Sequence, residues 1–427
     1  MINAKSLSVL KKAQWTSCFK RPLYRDYAFS CIPNTITKLL TGTGKDTLAE
    51  DAVCGSWERF DCVILFLIDG FGWKFFEGFA SKYPFLNRFT KEGAASKISA
   101  EFPSTTAAHI TSINTGKKVS ETGIYEWFYY EPIADRMIAP LLFSNAGDHE
   151  SGTLLKEGFT GEQIFPFETI YQKLSKKKVR SLVMQQEGIA HSPYSKAMFA
   201  GADLFAYAHF PDALDRLVSL CKSPFKDPTY IFVYFGDIDA MGHRHGITSP
   251  QFADSIEFCW TMIENRFWQK LSSCPNRIAT MFTADHGMTP VNPKTTILLN
   301  QICPQLSQMV KRNRKGLPLV PAGSCRDFFL HIEKKDLAEA QGLLQDKLKG
   351  IADVVFTEEL LKEGFFGAKT PSKRLKDRIG NLVVLPYPNE SVFWWFEKHR
   401  FEQHFYAAHG GLTPDEMESI FLFAKLY

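Results

Sequence analysis

Four short apolar runs punctuate the chain, at 62–68 (CVILFLI), 181–184 (SLVM), 230–235 (YIFVYF) and 278–283 (IATMFT), and they are mostly continuous rather than alternating. A strand with one wet face alternates with period two. A continuous run of strand length is instead covered on both faces, as in a parallel sheet with helices packed on each side. Between these runs, 107–113 follows Ser104, Thr105 and Thr106 as candidate caps and stops at Gly116; 210–221 carries Leu214, Leu217 and Leu220 at helical spacing, and 252–271 is similar. Strands alternating with helices predict an α/β fold with a doubly wound, mostly parallel sheet. The rhythm breaks over 292–387, which holds a basic stretch, an apolar run at 327–332, a helical pattern at 335–348 and short runs at 354–356 and 381–385. That pattern predicts a small α+β cap inserted into a core made of 1–291 and 388–427.

Of the 427 residues, 45% are apolar and 22% charged, the usage of an ordinary globular protein, which excludes disordered and low-complexity classes. Fifty Lys and Arg against 46 Asp and Glu leave +4, too dilute for a nucleic-acid polymer or a membrane surface. The nine cysteines are scattered without a C-x-x-C pair, which argues against a disulfide framework. The first 24 residues carry Lys5, Lys11, Lys12, Lys20 and Arg21 and no apolar signal-peptide core. No window reaches the roughly 18 apolar residues of a membrane span, and a reduced, cytoplasmic setting is expected. The run Lys176, Lys177, Lys178 reads as a solvated helix end.

Three of the apolar runs end alike: 62–68 leads into Asp69-Gly70, 230–235 into Gly236-Asp237-Ile238-Asp239, and 278–283 into Ala284-Asp285-His286-Gly287. Ligands of open α/β sheets gather beyond the carboxyl ends of the strands, so these tips are expected to converge. Crowded carboxylates repel unless a cation neutralises them, and Asp with His is a ligand set for zinc or a similar metal. Asp239 and His243 stand four apart, on one face of a helical turn, and His409 is followed by Gly410 and Gly411, which permit close backbone approach. Ser104, Thr105 and Thr106 open a helix, where a hydroxyl meets free N–H groups and the positive end of the dipole. They read either as an N-cap cluster or as the source of a metal-activated nucleophile.

Taken together, L-I-D-G at Asp69, F-P-S-T-T, D-A-M-G-H at Asp239 to His243, D-H-G-M at Asp285 and H-G-G at His409 resemble the alkaline phosphatase superfamily. The nearest likeness is to its type I phosphodiesterase and nucleotide pyrophosphatase branch, in the same chain order from about Asp61 to His409. The resemblance implies two divalent metal ions, zinc with manganese as the alternative. One would be held by Asp69, Asp285, His286 and Thr106, the other by Asp239, His243 and His409. It also implies Thr106 as nucleophile, with Asp237 a neighbouring structural carboxylate or a substitute for Asp239.

A threonine at this point, without the C/S-x-P/A-x-R signature, separates the chain from sulfatases. The expected activity is phosphodiester or nucleotide pyrophosphate hydrolysis through a phosphothreonine, on a small phosphate ester or nucleotide. Phosphomonoesterase, phosphonate hydrolase and phosphomutase chemistry remain open, as does a non-catalytic metal-stabilised binding protein. Trp127 stands 21 residues after Thr106, where the resembled enzymes place a phosphate-binding Asn. Its indole offers one N–H donor or a stacking face, and packing with Tyr125 and Phe128 is the alternative. His245 is a candidate substrate contact, and Arg312, Arg314 and Arg326 are candidates for reading a distal phosphate or carboxylate.

Overall fold

The structure is a computed structural model that describes residues 1–426 apart from 56, 149, 272–273 and 398–400. Its centre is a seven-stranded sheet in the order Ala94–Ser99, Glu418–Leu426, Ile278–Thr283, Cys62–Ile68, Thr229–Phe235, Arg180–Gln186, Asp203–Tyr207. Every pairing from Ile278–Thr283 to Asp203–Tyr207 is parallel, whereas Glu418–Leu426 runs antiparallel to both of its neighbours.

The continuous apolar runs are explained by two cores. Val63, Leu65 and Leu67 face one hydrophobic cluster, while Cys62, Ile64, Phe66 and Ile68 face another on the opposite side of the sheet. Ile68 lies beside Phe235 and Leu67 beside Thr283, so the residues that follow the three strands emerge together at one edge.

The helical pattern at 210–221 is a helix with those bounds, whereas that at 252–271 is an α-helix only over Pro250–Met262 and then continues as π and 3-10 turns to Leu271. Within 292–387 a four-stranded antiparallel sheet runs Ala322–Gly323, Phe328–Leu330, Leu382–Pro386, Ala352–Phe356. The helix Leu337–Lys347 covers it through Ala340 and Leu344, in a third hydrophobic cluster. The sequence pattern predicts a single helix here and misses Thr357–Glu363 and Lys373–Arg378, both too short to show a clear apolar periodicity. A further small sheet of Tyr129–Glu131, Arg136–Ala139 and Ser144–Asn145 follows the segment that holds Thr106. No described helix is long and apolar enough to cross a membrane.

Candidate active site

The helix Thr106–Thr115 divides the three hydroxyls at its start by function. Thr105 is the N-cap, its Oγ1 accepting from Ala108 N and donating to the Tyr125 carbonyl. Ser104 Oγ accepts from Gly410 N and donates to Gly411 O. Thr106 alone is left over, and its Oγ1 lies 3.1 Å from His286 Nε2.

Asp69, Asp285 and His286 present ligand atoms that lie within 4.8 Å of one another, and so do Asp239, His286 and His409. His286 Nε2 is 3.2 Å from Asp285 Oδ2 and 3.5 Å from Asp69 Oδ1; Asp239 lies 3.3 Å from His243 Nε2 and 3.7 Å from His409 Nε2. The His286 and His409 rings stack at 3.5 Å, so the two halves adjoin. Gly70 (φ 74°) lets the chain turn beside this cluster, since a Cβ there would stand 3.0 Å from Asp239 Cβ. At Gly410 (φ 124°) a Cβ would stand 2.5 Å from Asp327 Oδ1, which accounts for the glycine after His409.

The donor chemistry fits divalent cations. Each imidazole turns Nδ1 to a backbone carbonyl: His286 to Gly287 (3.0 Å), His243 to Ala407 (2.8 Å) and His409 to Ser104 (2.9 Å). A carbonyl only accepts, so Nδ1 carries the proton and each Nε2 turns a lone pair inward. Burial lowers His286 to about 4 and His409 to about 3, which keeps both neutral. Opposite them, Asp69 Oδ1, Asp239 Oδ1 and Asp285 Oδ2 are buried without any hydrogen-bond partner. Burial, together with the neighbouring carboxylates Asp285 and Asp239, pushes Asp69 well above the usual range, and burial raises Asp285. Burial also acts to raise Asp239, but the imidazoles of His243, His409 and His286 hold it below its ordinary value. Buried carboxylate oxygens and imidazole lone pairs facing one another across a few ångströms are what a cation satisfies.

Thr106, Asp239, His243 and His409 border a cavity of about 620 Å³. Its wall is aromatic, with Trp127, Phe128, Phe393, Phe401 and Phe405, and Trp127 is 41% exposed.

The sequence matches the type I phosphodiesterase / nucleotide pyrophosphatase family over residues 63–411. The chain belongs to that family. It is therefore a hydrolase of phosphoric ester or anhydride bonds, and the phosphodiesterase fold is repeated in solved structures. Murine ectonucleotide pyrophosphatase / phosphodiesterase 5 is similar at 15% identity, 84% of this chain and 87% of that one, and a TM-score of 0.59. Its inactive threonine-to-alanine variant in complex with AMP matches at 15% identity over the same shares, with a TM-score of 0.60. The human protein matches at 16% identity, again over 84% and 87%, with a TM-score of 0.59. No curated protein sequence matches at a significant level.

Among phosphodiesterase features expected from sequence, all seven suggested metal-holding residues are brought together, while several substrate candidates are not. His245 is exposed and absent from the cavity wall, because it follows His243 by two and a helix turns it away. Asp237 is likewise exposed and belongs to neither ligand group. Arg312 and Arg314 are exposed and off the wall. Arg326 is fully buried in a two-point ion pair with Glu416 (3.0 and 2.9 Å), which fastens the cap to the turn after His409. Among the described residues Arg244 is the one Arg or Lys on the wall.

Other residues of the site carry no sequence signal of their own. Tyr234 donates its hydroxyl to Asp69 Oδ2, from within an apolar strand where it reads as core. Glu126 and Asp327 are both buried, and Glu126 Oε1 and Asp327 Oδ2 have no hydrogen-bond partner among the described residues; they lie 201 positions apart in the chain.

Proposed function

We propose that this family member cleaves phosphodiesters or nucleotide pyrophosphates through a phosphorylated Thr106, with zinc as its metal. One zinc ion would be held by Asp69, Asp285, His286 and Thr106, the other by Asp239, His243 and His409. The observation that carries the reading is the hydroxyl of Thr106, hydrogen-bonded to the candidate ligand His286 at the foot of an open cavity while Ser104 and Thr105 are occupied structurally. The AMP complex of the similar murine protein supports a nucleotide-sized substrate, for which about 620 Å³ is ample. Mixed carboxylate and imidazole donors favour zinc.

Bound at these residues, the two cations supply Lewis-acid charge that lowers the hydroxyl pKa and offsets charge on the phosphoryl oxygens. Thr106 Oγ attacks phosphorus, the bond to the leaving-group oxygen breaks as the phosphothreonine forms, and the hydroxyl proton passes by way of solvent to the departing oxygen. Water then attacks that phosphorus in line, which releases the product and restores the hydroxyl. Two inversions leave configuration at phosphorus retained. The positive end of the helix Thr106–Thr115 faces the reacting group throughout. Trp127 offers the leaving group an indole face where the resembled enzymes place an amide. Nine unpaired cysteines support a reduced, cytoplasmic setting.

The test compares bis(4-nitrophenyl) phosphate with 4-nitrophenyl phosphate on zinc-loaded protein, beside Thr106→Ala. Diester preference, lost in the variant with two zinc ions still bound, is expected. Normal turnover by Thr106→Ala would overturn the nucleophile assignment, and monoester preference would overturn the substrate class.

A further inference from the structure

His109 sits on the fourth position of the nucleophile helix, fully buried and outside both groups of metal donors. Its ring is used at both nitrogens. Nε2 accepts from the backbone N–H of Glu101 at 2.8 Å, and Nδ1 lies 2.7 Å from the carbonyl oxygen of Thr105. An N–H only donates and a carbonyl only accepts, so the tautomer is fixed by its two partners: the proton is on Nδ1, and the ring is neutral. The imidazole therefore spans the chain from Glu101 to Thr105, the five residues that deliver Thr106. Edge-on contact with Phe29 (4.7 Å) holds the ring on one side, and the ring of His286 stands 6.4 Å away.

Every other residue of that span is tied as well. Tyr24 Oη accepts from Phe102 N, Ser104 is fastened to Gly410 and Gly411, and Thr105 to Tyr125. Those ties run outward to other segments and Thr105 N–H bonds Pro103 O locally (2.9 Å), whereas the His109 ring joins the two ends of the span. A helix-interior histidine needs no such bridge for helical stability, since its own N–H already bonds Thr105 O at 3.1 Å.

We propose that His109 is the positioning residue for the nucleophile, a neutral imidazole clamp that closes the Glu101–Thr105 span and thereby fixes the direction of the Thr106 hydroxyl. The proposal rests on Thr106 being the nucleophile. In-line attack is sensitive to placement, and a displacement of about 1 Å costs on the order of 10²-fold in rate. Binding of the substrate phosphate falls to other residues, so the loss belongs in kcat rather than KM.

Three variants separate the two bonds. His109→Asn keeps a donor at the Nδ1 position for Thr105 O, His109→Gln keeps an acceptor at the Nε2 position for Glu101 N, and His109→Ala keeps neither. With bis(4-nitrophenyl) phosphate, we expect kcat for His109→Ala to fall about 10²-fold, with KM within about threefold and zinc content unchanged. Asn and Gln should each restore part of kcat. Amide hydrogen exchange gives a readout independent of turnover: Glu101 N–H should lose protection in Ala and Asn and keep it in Gln. Unchanged kcat in His109→Ala, or kcat losses that follow zinc content instead of Glu101 protection, would overturn the clamp. If the wild type cleaves neither ester, the proposed function fails on its own, and the exchange experiment still decides: Glu101 protection unchanged across all three variants refutes the bridge.

Discussion

The carbonyl oxygen of Ser104 accepts a hydrogen bond from His409 Nδ1 at 2.9 Å, so the residue two before Thr106 orients an imidazole of the other half of the site. The Ser104 hydroxyl closes the same junction onto Gly410 N (3.1 Å) and Gly411 O (2.8 Å). Thr106 and His409 are thus built on one pair of interlocked turns.

Ser104→Ala keeps the carbonyl but strips both Gly410 and Gly411 of their hydroxyl partner. A buried group left unpaired costs about 1–3 kcal/mol. Loss of an outer support to a ligating histidine weakens metal binding by about 10–100-fold. Thermal melts and zinc titration measure the two effects; zinc affinity equal to wild type would show that the Ser104 carbonyl orients His409 without help from the Ser104 hydroxyl.

Chelation should destabilise the protein, because Asp69, Asp239 and Asp285 then keep buried oxygens with nothing to satisfy them. Melting temperature is expected to fall on treatment with a strong chelator and to recover with added zinc. A melt indifferent to both would remove the cations from these residues.

Glu101 is fully buried, and burial pushes its carboxyl up to about 7 from an ordinary 4.5. The folded chain therefore holds this proton more tightly than the unfolded one. Its contribution to stability is complete below about 4.5 and is lost as pH rises through about 7. Each pH unit that separates the folded from the unfolded titration is worth about 1.4 kcal/mol. Glu101→Gln cannot ionise, so it should equal the wild type near pH 4 and exceed it at pH 8 in urea unfolding. A gap that does not change with pH would contradict the raised value.

Arg326→Met leaves Glu416 buried with, among the described residues, Gly411 and Thr413 as its donors. Breaking one side of such a pair costs about 3–5 kcal/mol. The double change with Glu416→Leu should recover part of that in urea unfolding. Additive losses would mean that the two residues act independently.

The four buried strands are legible because a parallel strand must be apolar on both faces, and that leaves continuous runs such as Cys62–Ile68. The acidic tips are legible for a related reason: Asp69 and Asp285 are charged residues within two positions of mostly apolar strands, and Asp239 follows four residues after Phe235, so all three stand out against what precedes them. Ala94–Ser99 escapes such a reading, since Ala, Ser and Lys carry little strand preference and its place at the sheet edge relaxes the demand for apolar residues. Glu418–Leu426 is apolar enough to be noticed, but it bears no acidic tip and its reversed direction comes from the route of the chain. Substrate-facing arginines failed for another reason. A cation in sequence does not reveal its partner, and Arg326 is paired with Glu416 across 90 positions.

The strand Glu418–Leu426 joins Ala94–Ser99 to Ile278–Thr283, and it is hydrogen-bonded on both sides. During synthesis, residues 94–99 leave the ribosome long before 418–426 exist. Their edge waits unpaired through most of translation, open to a chaperone or to a neighbouring nascent chain. His409 is likewise made after the cap has emerged. A ribosome stalled before that strand therefore displays a sheet without the strand that joins Ala94–Ser99 to Ile278–Thr283.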